Sequence, residues 1–346
     1  AQSLKMGRVV KLHLQPVEQN QKKIEFIMRF ILHHEQIGKV MSGLLPGGVT
    51  PHHRLNDDKK DHYSQLLLKR CLHDRNPLLI KMEDKYRARE IVEEKKSGNL
   101  PELYHWSDKT HKIPWEELPP RCVIKTNHWS GDALFIMDNE KEPIAGIERK
   151  FKPFSRSINR YRVIRNGRDQ NGGFWPRWRI ERKLRKCLNQ DFPVPLEWGA
   201  SNISPRGVMV EELLLDEGKI PPDWKVHVFH GKAGFIQHDI GRMDTHSQAI
   251  YDLSGNKIKQ TNSPWSQTNT PDEILSMLGQ EKLEELIEIS QKLAEDIDYC
   301  RVDFFLTNEK WVFGEFTNYH NSCQPQSDEW EELAGSLWLS RVKSEE

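Results

Sequence analysis

The chain has 346 residues, carries 51 Lys and Arg against 51 Asp and Glu, and is 36% hydrophobic. This composition is typical of a globular protein and excludes a largely disordered chain. No apolar run approaches the roughly eighteen residues of a membrane-spanning helix, and no secretory signal is visible, so we expect a cytoplasmic protein without a membrane span.

Cysteine and histidine spacing argues against two common kinds of site. The five cysteines are widely spaced and form no C-x-x-C pair, which is not the pattern of a disulfide framework or a zinc ribbon. Four histidines, His227, His230, His238 and His246, lie close together in sequence, but their spacing matches no metal signature. We expect these histidines in strands and loops.

The predicted elements begin with helices and continue with strands. Residues 1–80 have mainly helical patterning, and Asp84 can cap a helix that ends near Gly98. Two short strands, "RCVIKT" and "ALFIM", flank the polar loop "NHWSGD". Further along, "RGVMVEELLL" predicts a strand that ends in acids, and "DWKVHVFHGKAGFIQHDI" predicts a hairpin turning at residues 230–232. An amphipathic helix over residues 281–297 then leads into a last hairpin.

A basic segment interrupts this pattern. Residues 149–186 contain fourteen Lys and Arg but only two acids, with aromatic residues interleaved. Such a segment can bind nucleic acid, another acidic polymer or a phosphate-rich ligand. It can equally be a solvated insertion whose charge is balanced by acidic surface elsewhere.

The last hairpin, "CRVDFFLTNEKWVFGEFTN", places two acids within apolar strands. Strict alternation puts Asp303 on one face of the first strand, and Trp311, Phe313, Glu315 and Thr317 together on one face of the second. Positions 303 and 315 should be nearly opposite, where two carboxylates repel each other unless a cation lies between them. That cation is either Arg301 or a hard metal such as Mg²⁺.

Two lysines are candidates for phosphate binding. Lys125 ends a short strand just before the loop "TNHWSG", where a point charge and backbone amides can meet phosphate oxygens. Lys85 lies in "EDKYRAR". Each is equally compatible with an ordinary solvated lysine.

Taken in order, five segments resemble the ATP-grasp superfamily and, within it, the TupA-like branch related to the teichuronopeptide-biosynthesis protein. They are "DRNPLLIKMEDKYRAREIV", "VIKTNHWSG", "LEWGASNISPRGVMVEELL", "DWKVHVFHGK" and "RVDFFLTNEKWVFGEFT". The resemblance covers roughly residues 70–320, and the ordered set is much more specific than any single segment. The basic segment has no clear counterpart in it.

The resemblance implies a role for each matching position. ATP and Mg²⁺ are the implied cofactors. The positions that match phosphate-binding residues are Lys85, Lys125 and the loop residues Asn127, His128, Ser130 and Gly131. The positions that match adenine- and ribose-binding residues are Glu211, Glu212, Leu213 and Asp223. Lys225 and Arg242 match catalytic basic positions, and Asp303, Glu315 and Thr317 match the metal ligands. Thr317 stands where the superfamily usually has Asn, and Asn318 could take its place.

The implied fold is α+β, an ATP-grasp fold with ATP held between two antiparallel sheets. We expect a helical N-terminal domain (1–80), a lid subdomain (81–209) that contains the basic insertion 149–186, and a C-terminal subdomain (210–346). The implied reaction is ATP- and Mg²⁺-dependent ligation of a carboxylate to an amine through an acyl-phosphate. The substrate would be an acidic small molecule, peptide or polysaccharide, such as an amino acid or a uronic acid, together with an amine; nucleic acid is not expected.

Two other functions fit the same sequence. One is an ATP-grasp kinase that phosphorylates a hydroxyl group and makes no amide. The other is a non-catalytic module in which the basic segment binds a polyanion, with a steep salt dependence and no ATP turnover.

Overall fold

The computed structural model describes residues 55–131, 133–138, 162–241 and 246–340. Within these ranges the chain forms eight α-helices and twelve β-strands. The helices are α1 (Tyr63–His73), α2 (Pro77–Glu83), α3 (Ala88–Lys95), α4 (Arg177–Leu188), α5 (Trp198–Ser201), α6 (Leu275–Leu278), α7 (Gln280–Leu293) and α8 (Asp328–Leu339).

The strands build two six-stranded sheets. Those of the first sheet are β1 (Leu103–Ser107), β2 (Arg121–Thr126), β3 (Leu134–Met137), β4 (Arg162–Arg165), β5 (Arg168–Asp169) and β6 (Val208–Glu211). Those of the second sheet are β7 (Asp223–Phe229), β8 (Lys232–Ile240), β9 (Ser247–Tyr251), β10 (Lys257–Ile258), β11 (Tyr299–Thr307) and β12 (Lys310–Thr317).

The first sheet, which we call the lid sheet, has the strand order β1-β6-β2-β3-β4-β5. The predicted strands on either side of the loop at residues 127–133 are β2 and β3, which pair antiparallel. One pair departs from the predicted antiparallel arrangement, because β3 and β4 run parallel. A parallel pair needs a crossover connection rather than a tight turn, and here residues 138–161 connect the two strands.

The second sheet, the C-terminal sheet, has the order β10-β9-β8-β7-β11-β12 and is antiparallel throughout. The predicted hairpin of β7 and β8 is confirmed. It turns at His230 and Gly231, whose φ angles of 49° and 71° are both positive. Two consecutive residues with positive φ give the turn that best matches the twist of a β-hairpin.

Helices cover both faces of the C-terminal sheet. Helices α2, α3 and α7 pack on one face, where Leu79, Ile91 and Leu286 join Val226 and Phe304 in a buried apolar core. Helices α1 and α8 pack on the other face, around Phe235 and Tyr299. The amphipathic pattern predicted for residues 281–297 is thus explained by packing on a sheet.

The last hairpin forms as predicted, with Asp303 paired directly to Glu315. The next pair along the ladder is Phe304 with Phe313, so Gly314 is an extra residue in β12. Such a β-bulge reverses the alternation of the strand beyond it. The prediction that Trp311 and Phe313 share the face of Glu315 is therefore wrong. Both rings lie in the core with Phe304.

The predicted N-terminal domain is only partly visible. Residues 1–54 lie outside the described ranges, and α1 packs against the C-terminal sheet. The boundary at residue 80 stays a prediction. No helix in the described part of the chain combines the length and the apolarity needed to cross a membrane.

Candidate active site between the two sheets

A cavity of about 370 Å³ lies between the lid sheet and the C-terminal sheet. One half of its lining is apolar and the other half is charged. The apolar residues come mostly from the lid sheet and the segment that links the two sheets: Val123, Phe135, Leu213, Ile220, Pro221 and Pro222. The charged residues are Lys85, Lys125, Lys183, Glu211, Glu212, Asp223, Asp239, Asp303 and Glu315. A flat apolar ligand bearing an anionic tail would fit both halves.

The apolar half ends at the predicted adenine-binding residues 211–213, which we call the hinge residues. Glu211, Glu212 and Leu213 all line the cavity. Glu211 forms an ion pair with Lys125 Nζ, and its other oxygen lies 4.0 Å from Arg89 Nη1. Glu212 also accepts a hydrogen bond from the backbone nitrogen of Glu102, at 3.2 Å. Of the two acids, therefore, Glu211 is the one that is buried and tied to a phosphate-binding candidate.

The predicted phosphate loop divides into two parts. Ser130 and Gly131 line the cavity. Asn127 and His128 do not: Asn127 Oδ1 accepts a hydrogen bond from the Gly207 nitrogen at 2.9 Å, and His128 Nε2 lies 3.3 Å from the Gln190 carbonyl oxygen. Burial lowers the pKa of His128 to about 4, so the ring is neutral at physiological pH. These two residues anchor the loop to the backbone rather than face the cavity.

Lys85 reaches the charged half from the turn before α3. Its Nζ lies 3.7 Å from Glu315 Oε2. Its backbone nitrogen donates to the Asn127 carbonyl oxygen at 3.1 Å, and Asp84, the predicted cap, accepts hydrogen bonds from the nitrogens of Tyr86 and Arg87 at 2.9 and 3.2 Å. Lys85 is therefore held by its backbone beside the loop at residues 127–131 and beside the hairpin of β11 and β12, which we call the acid hairpin.

The acid hairpin carries a buried ion pair. Arg301 donates from Nε and Nη2 to the two oxygens of Asp303, at 2.7 and 2.6 Å, and from Nη2 to Thr317 Oγ1 at 2.9 Å. Burial raises the pKa of Asp303, and the guanidinium opposes that rise. Burial disfavours the cation of Arg301, but Asp303 and Glu315 raise its pKa above the ordinary value. Glu315, with 31% of its side chain exposed, is the more accessible acid.

Lys225 lies among acids at the base of the charged half. Its Nζ is 2.9 Å from Asp239 Oδ2, 3.2 Å from Asp223 Oδ1 and 3.8 Å from Asp303 Oδ2. The side chain is only 2% exposed and is not part of the cavity lining. Lys225 is thus placed to hold carboxylates together. Arg242, the other predicted catalytic cation, lies outside the described residues.

Asp239 on β8 was missed by the sequence reasoning. It lines the cavity and opposes Asp223 across the β7–β8 ladder. Burial works against its ionisation, but Lys225 holds the pKa of Asp239 well below the usual range. Alternation along "GFIQHDI" could have revealed it, because Gln237 and Asp239 lie on one face of β8. In the β7–β8 hairpin their cross-strand partners on that face are Lys225 and Asp223.

The side chains that resemble metal ligands suit a hard cation. Asp303 and Glu315 offer carboxylate oxygens from adjacent strands at the charged end of the cavity, as Mg²⁺ prefers. Among the described residues, no group of three or more His, Cys, Asp or Glu side chains forms a preassembled metal site. Mg²⁺ typically takes one or two carboxylates plus substrate phosphates, so this donor set fits it. Thr317 lies outside the cavity lining and accepts a hydrogen bond from the same Arg301 Nη2 that binds Asp303.

Structure comparison finds several solved structures that are similar to this chain at low sequence identity. The D-alanine–D-alanine ligase of Bacillus anthracis in complex with ATP is 13% identical with a TM-score of 0.38, covering 77% of this chain and 67% of that one. The L-amino acid ligase of Bacillus licheniformis is 11% identical with a TM-score of 0.40, covering 89% and 55%. The ATP-grasp ligase PsnB with a minimal precursor is 10% identical with a TM-score of 0.36, covering 78% and 62%. The chain thus spans 55% to 67% of the length of these three proteins.

Sequence comparison gives a clearer result at the level of the family. No curated protein sequence matches the chain. The family model of the TupA-like ATP-grasp proteins matches residues 64–339, which include both sheets and every described residue of the cavity. The predicted resemblance is confirmed: this chain belongs to the TupA-like ATP-grasp family.

Proposed function

We propose that the protein is an ATP- and Mg²⁺-dependent ligase that joins a carboxylate to an amine. The observation that carries this proposal is the composition of the charged half of the cavity. Asp303 and Glu315 are direct cross-strand partners there, and Lys85 and Lys125 line the same space. Two acids for a metal and two cations for phosphates, next to an apolar slot, suit the binding of a nucleoside triphosphate.

The reaction would proceed in two balanced steps. A carboxylate oxygen of the acid substrate attacks the γ-phosphorus of ATP, the bond to the β-phosphate breaks, and ADP leaves an acyl-phosphate behind. The amine then attacks the acyl carbon, loses a proton and expels inorganic phosphate, which leaves an amide. Neither step requires a covalent bond to the protein.

The side chains of this chain would bind and orient the reactants. Lys85 and Lys125 would neutralise phosphate oxygens, and the backbone of residues 211–213 would receive adenine, with Asp223 beside the ribose. Asp303 and Glu315, with Thr317 behind them, would hold Mg²⁺, which when bound neutralises phosphate charge and orients the phosphates. From its family position, we assign Arg242 to the stabilisation of charge on the transferred phosphoryl group. Lys225 would act on that group indirectly, through the acids that surround it.

The substrate acid is proposed from the charge of the lid. Helix α4 lines the cavity with Lys183 and Leu184. On its outer face Arg182, Arg185 and Lys186 are exposed, and within the described residues no acid pairs with them. A cationic helix beside the cavity mouth lowers the repulsion between ATP and a second anion. We therefore propose an acidic substrate, and an acidic peptide or a uronic-acid polymer would use the whole helix.

Isotope transfer tests this proposal directly. The protein would be incubated with MgATP, an amine, and a panel of ¹⁸O-carboxylate amino acids, uronic acids and short acidic peptides. An acyl-phosphate route predicts ADP, an amide by mass spectrometry, and one ¹⁸O atom in the released phosphate. ADP together with a stable phosphate ester and no amide would instead identify a kinase. Binding of the acids without ADP release would indicate a non-catalytic module.

A further inference from the structure

A chain of buried hydrogen bonds runs from helix α1 to the cavity. Tyr63 donates to Tyr299, whose hydroxyl lies 3.1 Å from His227 Nδ1. His227 Nε2 lies 3.1 Å from Gln237 Oε1, and Gln237 Nε2 donates to Asp239 Oδ1 at 2.9 Å. All five side chains are buried, and only the last reaches the cavity.

The acid at the end of this chain determines the direction of every hydrogen bond in it. An ionised carboxylate only accepts, so the Gln237 amide must present its NH₂ group to Asp239 and its oxygen to His227. Burial lowers the pKa of His227 well below its usual value, and a neutral ring has a single N–H. That N–H must be at Nε2, which leaves Nδ1 to accept from Tyr299. Tyr299 in turn accepts from Tyr63, so Tyr299, His227 and Gln237 each donate one hydrogen bond and accept one within the chain.

Asp239 connects this chain to the acid hairpin. Its second oxygen, Oδ2, lies 2.9 Å from Lys225 Nζ, which is 3.8 Å from Asp303 Oδ2. Gln237, Lys225, Asp303 and Glu315 are also cross-strand neighbours in one row over β8, β7, β11 and β12. A change in the orientation of Asp239 would therefore be passed to Lys225 and on to Asp303.

We propose that Asp239 is a positioning residue for Lys225 and Asp303, and that Gln237 and His227 act by fixing its orientation. The proposal rests on the function proposed above, since it assigns these residues to the metal and phosphate end of the cavity. With Gln237 in place, Asp239 directs one oxygen to Lys225, so Lys225 stays among the carboxylates of Asp223, Asp239 and Asp303. Without it, Asp239 Oδ1 loses this hydrogen bond while Oδ2 keeps Lys225 at 2.9 Å and His246 Nε2 at 3.7 Å, so the carboxylate can shift relative to Lys225 and Asp303.

The test compares Gln237→Leu, Asp239→Asn and the double variant. ATP binding is followed by calorimetry at a series of Mg²⁺ concentrations, with melting temperature measured in parallel. Because one hydrogen bond to a charged group is at stake, we expect Gln237→Leu to raise the Mg²⁺ concentration for half-maximal binding about tenfold or more. Gln260→Leu is the matched control, since Gln260 is also buried and donates to Ser327 Oγ at 3.0 Å, outside the cavity and this chain.

Non-additivity is the decisive result. If Gln237 acts through Asp239, the double variant should have the same Mg²⁺ dependence as Asp239→Asn alone. Additive shifts would overturn the proposal. So would a Gln237→Leu variant that loses melting temperature as Gln260→Leu does but keeps the wild-type Mg²⁺ dependence. If Gln237→Leu fails to fold, Asp239→Asn carries the test, and an unchanged Mg²⁺ dependence in that variant rejects the proposal.

Failure of the proposed reaction is distinguishable from failure of this inference. A wild-type protein that binds MgATP but forms no amide with any acid and amine contradicts the ligase function, while the Mg²⁺ series still decides the role of Gln237. A wild-type protein that does not bind ATP at all contradicts both.

Discussion

Arg301 and Asp303 lie two residues apart on β11 and form a buried, two-pronged ion pair, with Nε–Oδ1 and Nη2–Oδ2 distances of 2.7 and 2.6 Å. The same guanidinium bonds Thr317 and lies 3.9 Å from Glu315 Oε1. One cation therefore touches all three residues that resemble metal ligands. Asp303 and Glu315 would hold Mg²⁺, and Glu315, which is 31% exposed and lines the cavity, would be the more accessible carboxylate.

Asp303→Asn should abolish Mg²⁺-dependent ATP binding. The change also weakens a buried ion pair, and breaking such a pair costs up to about 3–5 kcal/mol, so the free energy of unfolding should fall as well. Calorimetry with MgATP and urea unfolding measure the two effects. Glu331→Gln is the matched control, because Glu331 is a buried acid that accepts from Ser64 and Gln326 far from the cavity. Wild-type MgATP affinity in Asp303→Asn would disprove the assignment.

Lys125→Ala should weaken ATP binding about tenfold or more, since one charge-assisted hydrogen bond to phosphate is lost. Lys125 is paired with Glu211, so the variant also removes that partner and leaves Arg89 at 4.0 Å from this acid. Lys109→Ala, an exposed lysine on the same subdomain, is the control. Equal ATP affinities for Lys125→Ala and Lys109→Ala, measured by calorimetry, would remove Lys125 from the phosphate site.

Charge reversal on α4 should impair use of an acidic substrate. The combined change Arg182→Glu and Arg185→Glu should raise the KM for the acid several-fold at low salt and less at high salt, because surface charge is screened. The KM for ATP should change little. Lys59→Glu and Lys60→Glu, exposed positions outside the lid, control for net charge. A flat KM for the acid with a lower melting temperature would make α4 a structural element only.

Glu197 should make stability depend on pH. Burial raises the pKa of Glu197 to about 8, while Ser322 Oγ donates to its Oε1 at 2.6 Å and opposes the rise. The native state therefore keeps this proton over a range where the unfolded chain, with its ordinary pKa near 4.5, has lost it. The contribution of Glu197 to the free energy of unfolding is full below pH 4.5. It then falls by about 1.4 kcal/mol per pH unit up to pH 8.

Glu197→Gln removes that dependence and keeps the acceptor for Ser322. Compared with the wild type, the variant should be similar in stability near pH 5 and more stable near pH 8.5. Urea unfolding at several pH values measures the difference. Parallel pH profiles for the two proteins would show that Glu197 is ionised in the native state at neutral pH.

Much of this architecture follows from residue patterns that act over short distances. Asp303 and Glu315 were predicted to be nearly opposite each other, because a short hairpin turn fixes the register to within one residue, and the extra residue Gly314 makes them direct partners. The turn at His230 and Gly231 was predicted for the same kind of reason. The family was recognised from ordered segments and is confirmed. The family positions of Lys85, Lys125 and the hinge residues likewise fall on the cavity.

What the sequence could not supply depends on contacts between distant segments. Nothing near Asn127 and His128 indicates that they would bond to the backbone of residues 207 and 190. Asp239 and Gln237 become neighbours of Lys225 and His227 only when β7 and β8 pair in register. The role of Tyr63 requires α1 to pack beside Tyr299, which lies more than two hundred residues away in the chain.

The extra residue at Gly314 divides β12 into two stretches with independent constraints. Trp311 and Phe313 before it are fixed by the apolar core, whereas Glu315 and Thr317 after it are fixed by the charged cavity. A Cβ at position 314 would meet Phe305 Cε2 at 3.1 Å and the Asp303 carbonyl oxygen at 3.2 Å, so any other residue there would have to displace these neighbours slightly. Deleting this single residue would turn Glu315 into the core or Trp311 out of it. Gly314 therefore determines, without any side chain of its own, which side of the sheet carries the acid.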